Sequence, residues 1–336
     1  TNIAIGSFNF DLAPVIIVAF FTALLVMGTK IGARVDGAMT VLKIAIVFFV
    51  VIVGFFYVKA SNFTPFIPPS QPASTVEGSS AVTGVMTQPL WQFATGMTPS
   101  VYGVPGILSG AALVFFAFIG FDVVATASEE TKNPHKNVPL GIGVGMLLII
   151  VMYMLVAVVT TGMVSYADLA KQDSPSLATA FELVGADWAA KIISFGIVLG
   201  LATVVMVLLL GLTRIVFAMS RDGLLPRGLS KTGKHGTPAA LQIVVGAVVA
   251  LVAAFFDIGV LSDMVNIGTL SAFTLVAISI PIMRKKRPDL PRAFKMPGSP
   301  WIPILIAVAN FWLMLNLSVL TWIRFVVWLV VGFAIY

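Results

Sequence analysis

The sequence predicts an all-α membrane protein that crosses the bilayer nine times, and three observations carry that expectation. Of its 336 residues 59% are hydrophobic and only 10% are charged, far from the roughly one-half apolar and about one-quarter charged residues of soluble domains. Apolar runs of about 20 residues recur along the chain, the length that a helix rising ~1.5 Å per residue needs to cross ~30 Å of hydrocarbon. Lysine and arginine gather in alternate connecting segments, the pattern that sets membrane orientation.

The first run, Leu12 to Gly28, lacks the positive flank and small-residue cleavage site of a removable signal peptide and is expected to be a true span. The second, Gly37 to Val58, carries Lys43, and the third, Gly106 to Ser128, carries Asp122 near its far end. The fourth and fifth, Val138 to Gly162 and Trp188 to Leu212, are followed by Pro238 to Phe256 and Val260 to Met283. The eighth and ninth are Ile302 to Val319 and Trp322 to Tyr336. Pro14 and Pro238 open the first and sixth runs, and turns are expected at Asp36 and Asp263, a faint correspondence of the kind that inverted repeats leave in a sequence.

Assigning the connecting segments to alternate sides places Lys30, Arg34, Lys132, Lys136, Arg214, Arg221, Arg227, Lys231, Lys234, Arg284, Lys285, Lys286, Arg287, Arg292 and Lys295 on one side. The other side holds only Lys59, Lys171, Lys191 and Arg324. The basic side is expected to be cytoplasmic, with Thr1 outside and the C-terminus inside. The net charge of +6 therefore reads as topology, not as nucleic-acid binding. The basic segments Arg214 to Lys234 and Arg284 to Lys295 set that topology and also suit anionic membrane lipids.

The longest connection, residues 59–105, holds seven prolines and little charge and is expected to be an extracellular loop. Within it, Pro89 to Tyr102 carries Trp91, Phe93 and Tyr102, which suits either an aromatic anchor at the interface or a segment folded over an entrance. Asn62-Phe63-Thr64 matches a glycosylation acceptor but hugs the membrane, where chance explains it better.

Ionisable residues at depth are costly in lipid and mark function or pairing. Asp122 lies in Phe115-Phe116-Ala117-Phe118-Ile119-Gly120-Phe121-Asp122. Its position suits either a helix broken at Gly120, where exposed carbonyls bind an ammonium group, or a helix that ends early. Lys43 suits either snorkelling to the inner interface or a functional buried amine. Both histidines, His135 and His235, fall in connecting segments, and there is no His-Glu-x-x-His helix and no cysteine. Metal-assisted hydrolysis, serine–histidine chemistry and thiolate metal sites have no residues to run on, so no enzyme and no cofactor are expected.

The run from Phe115 to Asp122, followed by Ala125-Thr126-Ala127-Ser128-Glu129-Glu130-Thr131-Lys132-Asn133-Pro134 and Pro139, closely resembles the cationic amino-acid transporter family of the amino acid, polyamine and organocation superfamily. Arg214, Met219-Ser220-Arg221-Asp222-Gly223-Leu224-Leu225-Pro226, Asn266-Ile267-Gly268-Thr269-Leu270, Arg287-Pro288-Asp289 and Arg292-Ala293-Phe294 support the match. The resemblance implies the LeuT-like inverted-repeat fold, two five-helix repeats plus two helices, of which nine of twelve helices are expected here and the first three are not matched. Residues 1–58 then hold the last two helices of the first repeat, 59–105 the extracellular loop, 106–283 the second repeat with its first helix broken, and 284–336 the basic cytoplasmic loop and two C-terminal helices.

The same resemblance implies that carbonyls around Phe116, Ala117 and Ile119 accept the substrate α-amino group, that Phe116 gates the pocket, and that Asp122 meets the substrate side chain or a proton. Met206 is implied to line the pocket. Lys43 is implied to stand where sodium sits in related carriers, so that the proton is the coupling ion. The expected function is proton-coupled import of a cationic or small neutral amino acid across the plasma membrane by alternating access. An amino-acid/amine exchanger and a nutrient-sensing receptor are the alternatives, and the absence of a Thr-Val-Gly-Tyr-Gly filter disfavours a potassium channel.

Overall fold

A computed structural model describes residues 2–5, 8–27, 29–75, 84–121, 124, 131–172, 175–230, 238–256, 258–290, 292, 296 and 298–335, with side chains from Leu12 onward except at 13, 27, 29–36, 75, 229, 230 and 335. The chain opens with an antiparallel hairpin of β1 (Asn2–Ile5) and β2 (Phe8–Asp11) in which Ile3 pairs Phe10. Helices α1 (Leu12–Met27) and α2 (Thr29–Phe55) follow. The long connection holds β3 (Gln71–Pro72), α3 (Leu90–Thr95) and β4 (Ser100–Val101). Next come α4 (Gly103–Val114), α5 (Pro134–Met163), α6 (Tyr166–Ala170), α7 (Leu177–Leu183) and α8 (Asp187–Arg221). The chain finishes with α9 (Ala239–Phe255), α10 (Ile258–Lys286), α11 (Trp301–Leu315) and α12 (Val319–Ile335).

Among the described residues, four helices are long and apolar enough to cross a membrane, Gly37–Phe55, Pro134–Met163, Asp187–Arg221 and Ile258–Lys286. Five shorter apolar helices are Pro14–Val26, Gly103–Phe118, Ala239–Phe255, Trp301–Leu315 and Val319–Ala334. Among the described residues, each expected run therefore holds an apolar helix. The long helices overrun the expected limits into charged sequence, α8 to Arg221 and α10 to Lys286. At ~1.5 Å per residue a 35-residue helix is about 50 Å long, more than the ~30 Å of a bilayer's hydrocarbon core.

That overrun corrects one expectation. Neither Asp36 nor Asp263 is a turn, because α2 already begins at Thr29 and α10 runs unbroken through Asp263. At Asp263 the reason is visible: its carboxylate accepts a 3.1 Å hydrogen bond from the Thr321 hydroxyl of α12, so the charged group is satisfied without ending the helix.

The described fold comprises two compact units, Thr1–Thr64 with Asp122–Glu129 and Gly143–Asp257, and Pro65–Phe121 with Glu130–Ile142 and Ile258–Tyr336. The first unit has two cores. Phe181 of α7 is the centre of one, packed with Val50 of α2, Val159 and Met163 of α5 and Ile193 of α8. The other joins Val18, Phe21 and Leu25 of α1, Met206 and Leu209 of α8, and Leu241 and Val245 of α9. α1 lies so close to α9 at Gly246 that a Cβ there would overlap the Thr22 side chain; small residues at such crossings let backbones approach where lipid supplies no hydrophobic drive.

The second unit packs α10 against α11, α12 and α4, with Ala112, Ile267, Leu270, Met314 and Leu317 at its centre. Over the turn between α11 and α12 lies the segment that the sequence left open between anchor and fold-back. Leu90 N–H donates to the Leu317 carbonyl at 3.0 Å, Val319 N–H to Gln88 at 3.1 Å and Leu320 N–H to Met86 at 2.8 Å. Trp91 Nε1 donates to Asn316 Oδ1 at 2.9 Å, and its ring stacks on Trp312. The aromatic residue thus anchors the loop to protein.

Candidate functional site

The α-helical ladder of α4 does not continue through the run Phe115 to Gly120. α4 stops at Val114, Phe115–Phe118 tightens into a 3-10 turn, and Ile119 is extended at φ −66°, ψ 137°. Gly120 follows at φ +126°, a conformation that a residue with a Cβ rarely adopts. The side chains of Phe116, Ala117 and Phe118 carry no hydrogen-bonding group, so the polar groups of the run are those of its backbone. The Ile119 N–H donates to the Phe116 carbonyl at 3.2 Å. A carbonyl oxygen has two lone pairs, so this bond leaves Phe116 with capacity for a second donor.

Phe116 is 42% exposed, whereas Phe115 is half-buried against the core of the second unit. Ala117 is exposed and Ile119 is half-buried. The break is flanked by aromatic contacts to one residue of α10: the Phe273 ring lies 6.1 Å from that of Phe115, edge-on, and 5.2 Å from that of Phe121. Aromatic pairs at such distances contribute about 0.5–1.5 kcal/mol beyond their burial. Asp122, with 123 and 125–130, lies outside the described residues.

The other expected site residues belong to the first unit. Lys43 is half-buried on α2, and its Cγ lies 3.9 Å from where a Cβ at Gly200 of α8 would stand. A Cβ at Gly200 would meet the lysine stem in ordinary van der Waals contact. Met206 is 3% exposed in the α1–α8–α9 core. Phe116, Ala117 and Ile119 thus stand together at the helix break, while Met206 and Lys43 are positions on helices of the other unit. Sequence reasoning passed over Phe273 and Gly200: one is among 25 phenylalanines and the other among 29 glycines, and neither stands in a motif.

A cavity of about 630 Å³ in the first unit is lined by Lys59, Asn62, Asp168 and Lys171, among others. It contains none of the expected site residues. Its Lys171–Asp168 pair, 3.3 Å apart, is more than half exposed, and pairs of that kind contribute little. Among the described residues no group of three or more His, Cys, Asp or Glu side chains is arranged to hold a metal.

Over 98% of this chain, and 64% of the relative, 41% of residues are identical to the branched-chain amino acid permease BcaP of Bacillus subtilis (strain 168). A methylthioribose transporter of the same organism is 38% identical over 97% of this chain and 64% of its own length. A mitochondrial cationic amino acid transporter 3 of Arabidopsis thaliana is 36% identical over 82% of the chain and 40% of the relative. The chain therefore spans less than two thirds of the length of these relatives. The amino acid permease family model matches residues 10–335, nearly the entire sequence and both units, and this is a family of permeases, not of enzymes. The chain belongs to the amino acid permease family.

Proposed function

We propose that the full-length protein bearing this sequence imports an amino acid across the plasma membrane by alternating access, coupled to protons. The observation that carries the reading is the helix interrupted at Phe115–Gly120 in a chain of the amino acid permease family. Non-helical backbone at membrane depth is tolerated where it lines a cavity or is buried in protein, and the ends of interrupted helices present partial charges to a zwitterionic ligand. The carbonyls around Phe116, Ala117 and Ile119 are suited to receive the α-ammonium group, with Phe116 as the gate.

The architecture proposed with this function is LeuT-like. Residues 1–58 and 106–283 contribute to two inverted repeats, 59–105 forms an extracellular loop, and 284–336 add the two last helices. Thr1 is extracellular and the C-terminus cytoplasmic. The side chains around the break, Phe116, Ala117 and Ile119, are apolar, which favours a neutral substrate; the branched-chain permease among the relatives agrees with that preference. Asp122 is the residue that would admit a cationic one.

Proton coupling rests on Lys43. It is a half-buried amine in an apolar helix, with its Cγ beside Gly200 of α8, and an ionisable group at membrane depth is a candidate to carry the coupled proton. The test is uptake of radiolabelled leucine, arginine and alanine into proteoliposomes with and without an imposed inward proton gradient. The gradient is expected to drive accumulation of at least one of them, and Lys43→Ala to reduce driven uptake on the order of tenfold or more. Uptake equal in the two conditions would remove the proton; uptake only with a preloaded counter-substrate would make the protein an exchanger. Unlabelled methylthioribose as competitor tests the substrate named for the second relative.

A further inference from the structure

Residues 115 and 121 are six apart, and in an uninterrupted helix they would be separated by about 120° around the axis and about 9 Å along it. One ring would not meet both. Here the ring of Phe273 meets Phe115 at 6.1 Å and 78°, and Phe121 at 5.2 Å and 35°. The residues between them are those that leave the α-helix, from the 3-10 turn of Phe115–Phe118 to the positive φ of Gly120. The α-helical ladder stops at Val114, and α10 packs against the 3-10 turn that follows.

Phe273 is itself anchored. Leu270, one turn earlier on α10, is fully buried with Ile267 against Ala112 of α4, so the segment of α10 that carries Phe273 is fixed to the stem of the broken helix. We propose that Phe273 is a positioning residue for the substrate site: its ring bridges the two arms of the break and sets the spacing at which the Phe116–Gly120 backbone is presented to the ligand. This rests on the reading of the break as the amino-acid site.

The test uses Phe273→Leu, which keeps apolar volume without a ring, and Phe273→Tyr, which keeps the ring. Both are made in the full-length protein and compared by concentration-dependent amino-acid uptake in proteoliposomes and by maleimide labelling of Ala117→Cys, whose natural background within this chain contains no cysteine. Phe273→Leu is expected to raise the half-saturating concentration about tenfold, because small misplacements of binding groups have large effects, and to change the labelling rate at position 117. Phe273→Tyr is expected to restore both. A purely structural role would lower the amount of folded protein and the maximal rate without moving the half-saturating concentration. Wild-type uptake with an unchanged half-saturating concentration and unchanged labelling in Phe273→Leu would overturn the proposal. Should the wild type take up no amino acid, the proposed function fails by itself, while labelling at position 117 still decides whether Phe273 sets the geometry of the break.

Discussion

At the scale of single residues, the apolar surroundings make polar side chains the informative ones. Asn266 of α10 is fully buried, and neither its Oδ1 nor its Nδ2 has a hydrogen-bond partner among the described residues. An amide left unpaired in an apolar interior costs about 1–3 kcal/mol, and leucine fills a similar volume without polar atoms. Asn266→Leu is therefore expected to raise the thermal unfolding midpoint of the detergent-solubilised protein; a lowered midpoint would show that the amide is bonded. The sequence marked Asn266 only as part of a motif. It marked Lys43 by position, because a charge inside an apolar run stands out, but not that Gly200, 157 positions further on in the numbering, lies beside its stem. A contact between distant helices leaves no trace in local hydropathy.

At the scale of elements, apolar runs located the helices and misjudged their ends. Hydropathy reports where lipid is, whereas the backbone ladder continues as long as its bonds are made, so α8 reaches Arg221 and α2 starts at Thr29. A break at Gly120 was one of two readings of the Phe115 to Asp122 run; glycine there is compatible with either, and only the dihedral angles show that the chain leaves the helical conformation at that position. The strap over the α11–α12 turn was less legible, since Trp91 and Asn316 are 225 residues apart. Where helices cross, side-chain size decides the approach. Gly246→Leu is expected to separate α1 from α9 by forcing its side chain into Thr22, with a stability loss of about 1–3 kcal/mol. Gly332→Ala, where nothing lies within 4 Å, is the control, and its stability is expected to be unchanged or raised by up to about 1 kcal/mol, as alanine is the better helix former.

At the scale of the whole molecule, composition established a membrane protein, and the motifs around the break pointed to the family that the match over residues 10–335 shows. The substrate was not legible from residues, and the relatives are named for different ones, from branched-chain amino acids to methylthioribose and cationic amino acids. Selectivity depends on the shape of a pocket assembled from several helices, to which single motifs contribute only part. The central claim is that the interrupted helix is the amino-acid site, and saturable uptake by a Gly120→Val variant tests it most directly. Valine cannot readily hold φ +126°, so the variant must reshape the break while the cores around Phe181 and Leu270 remain. In proteoliposomes containing equal amounts of folded wild-type or variant full-length protein, saturable amino-acid uptake is predicted for the wild type and its loss for Gly120→Val. Equal half-saturating concentrations and equal maximal rates in the two would contradict the account.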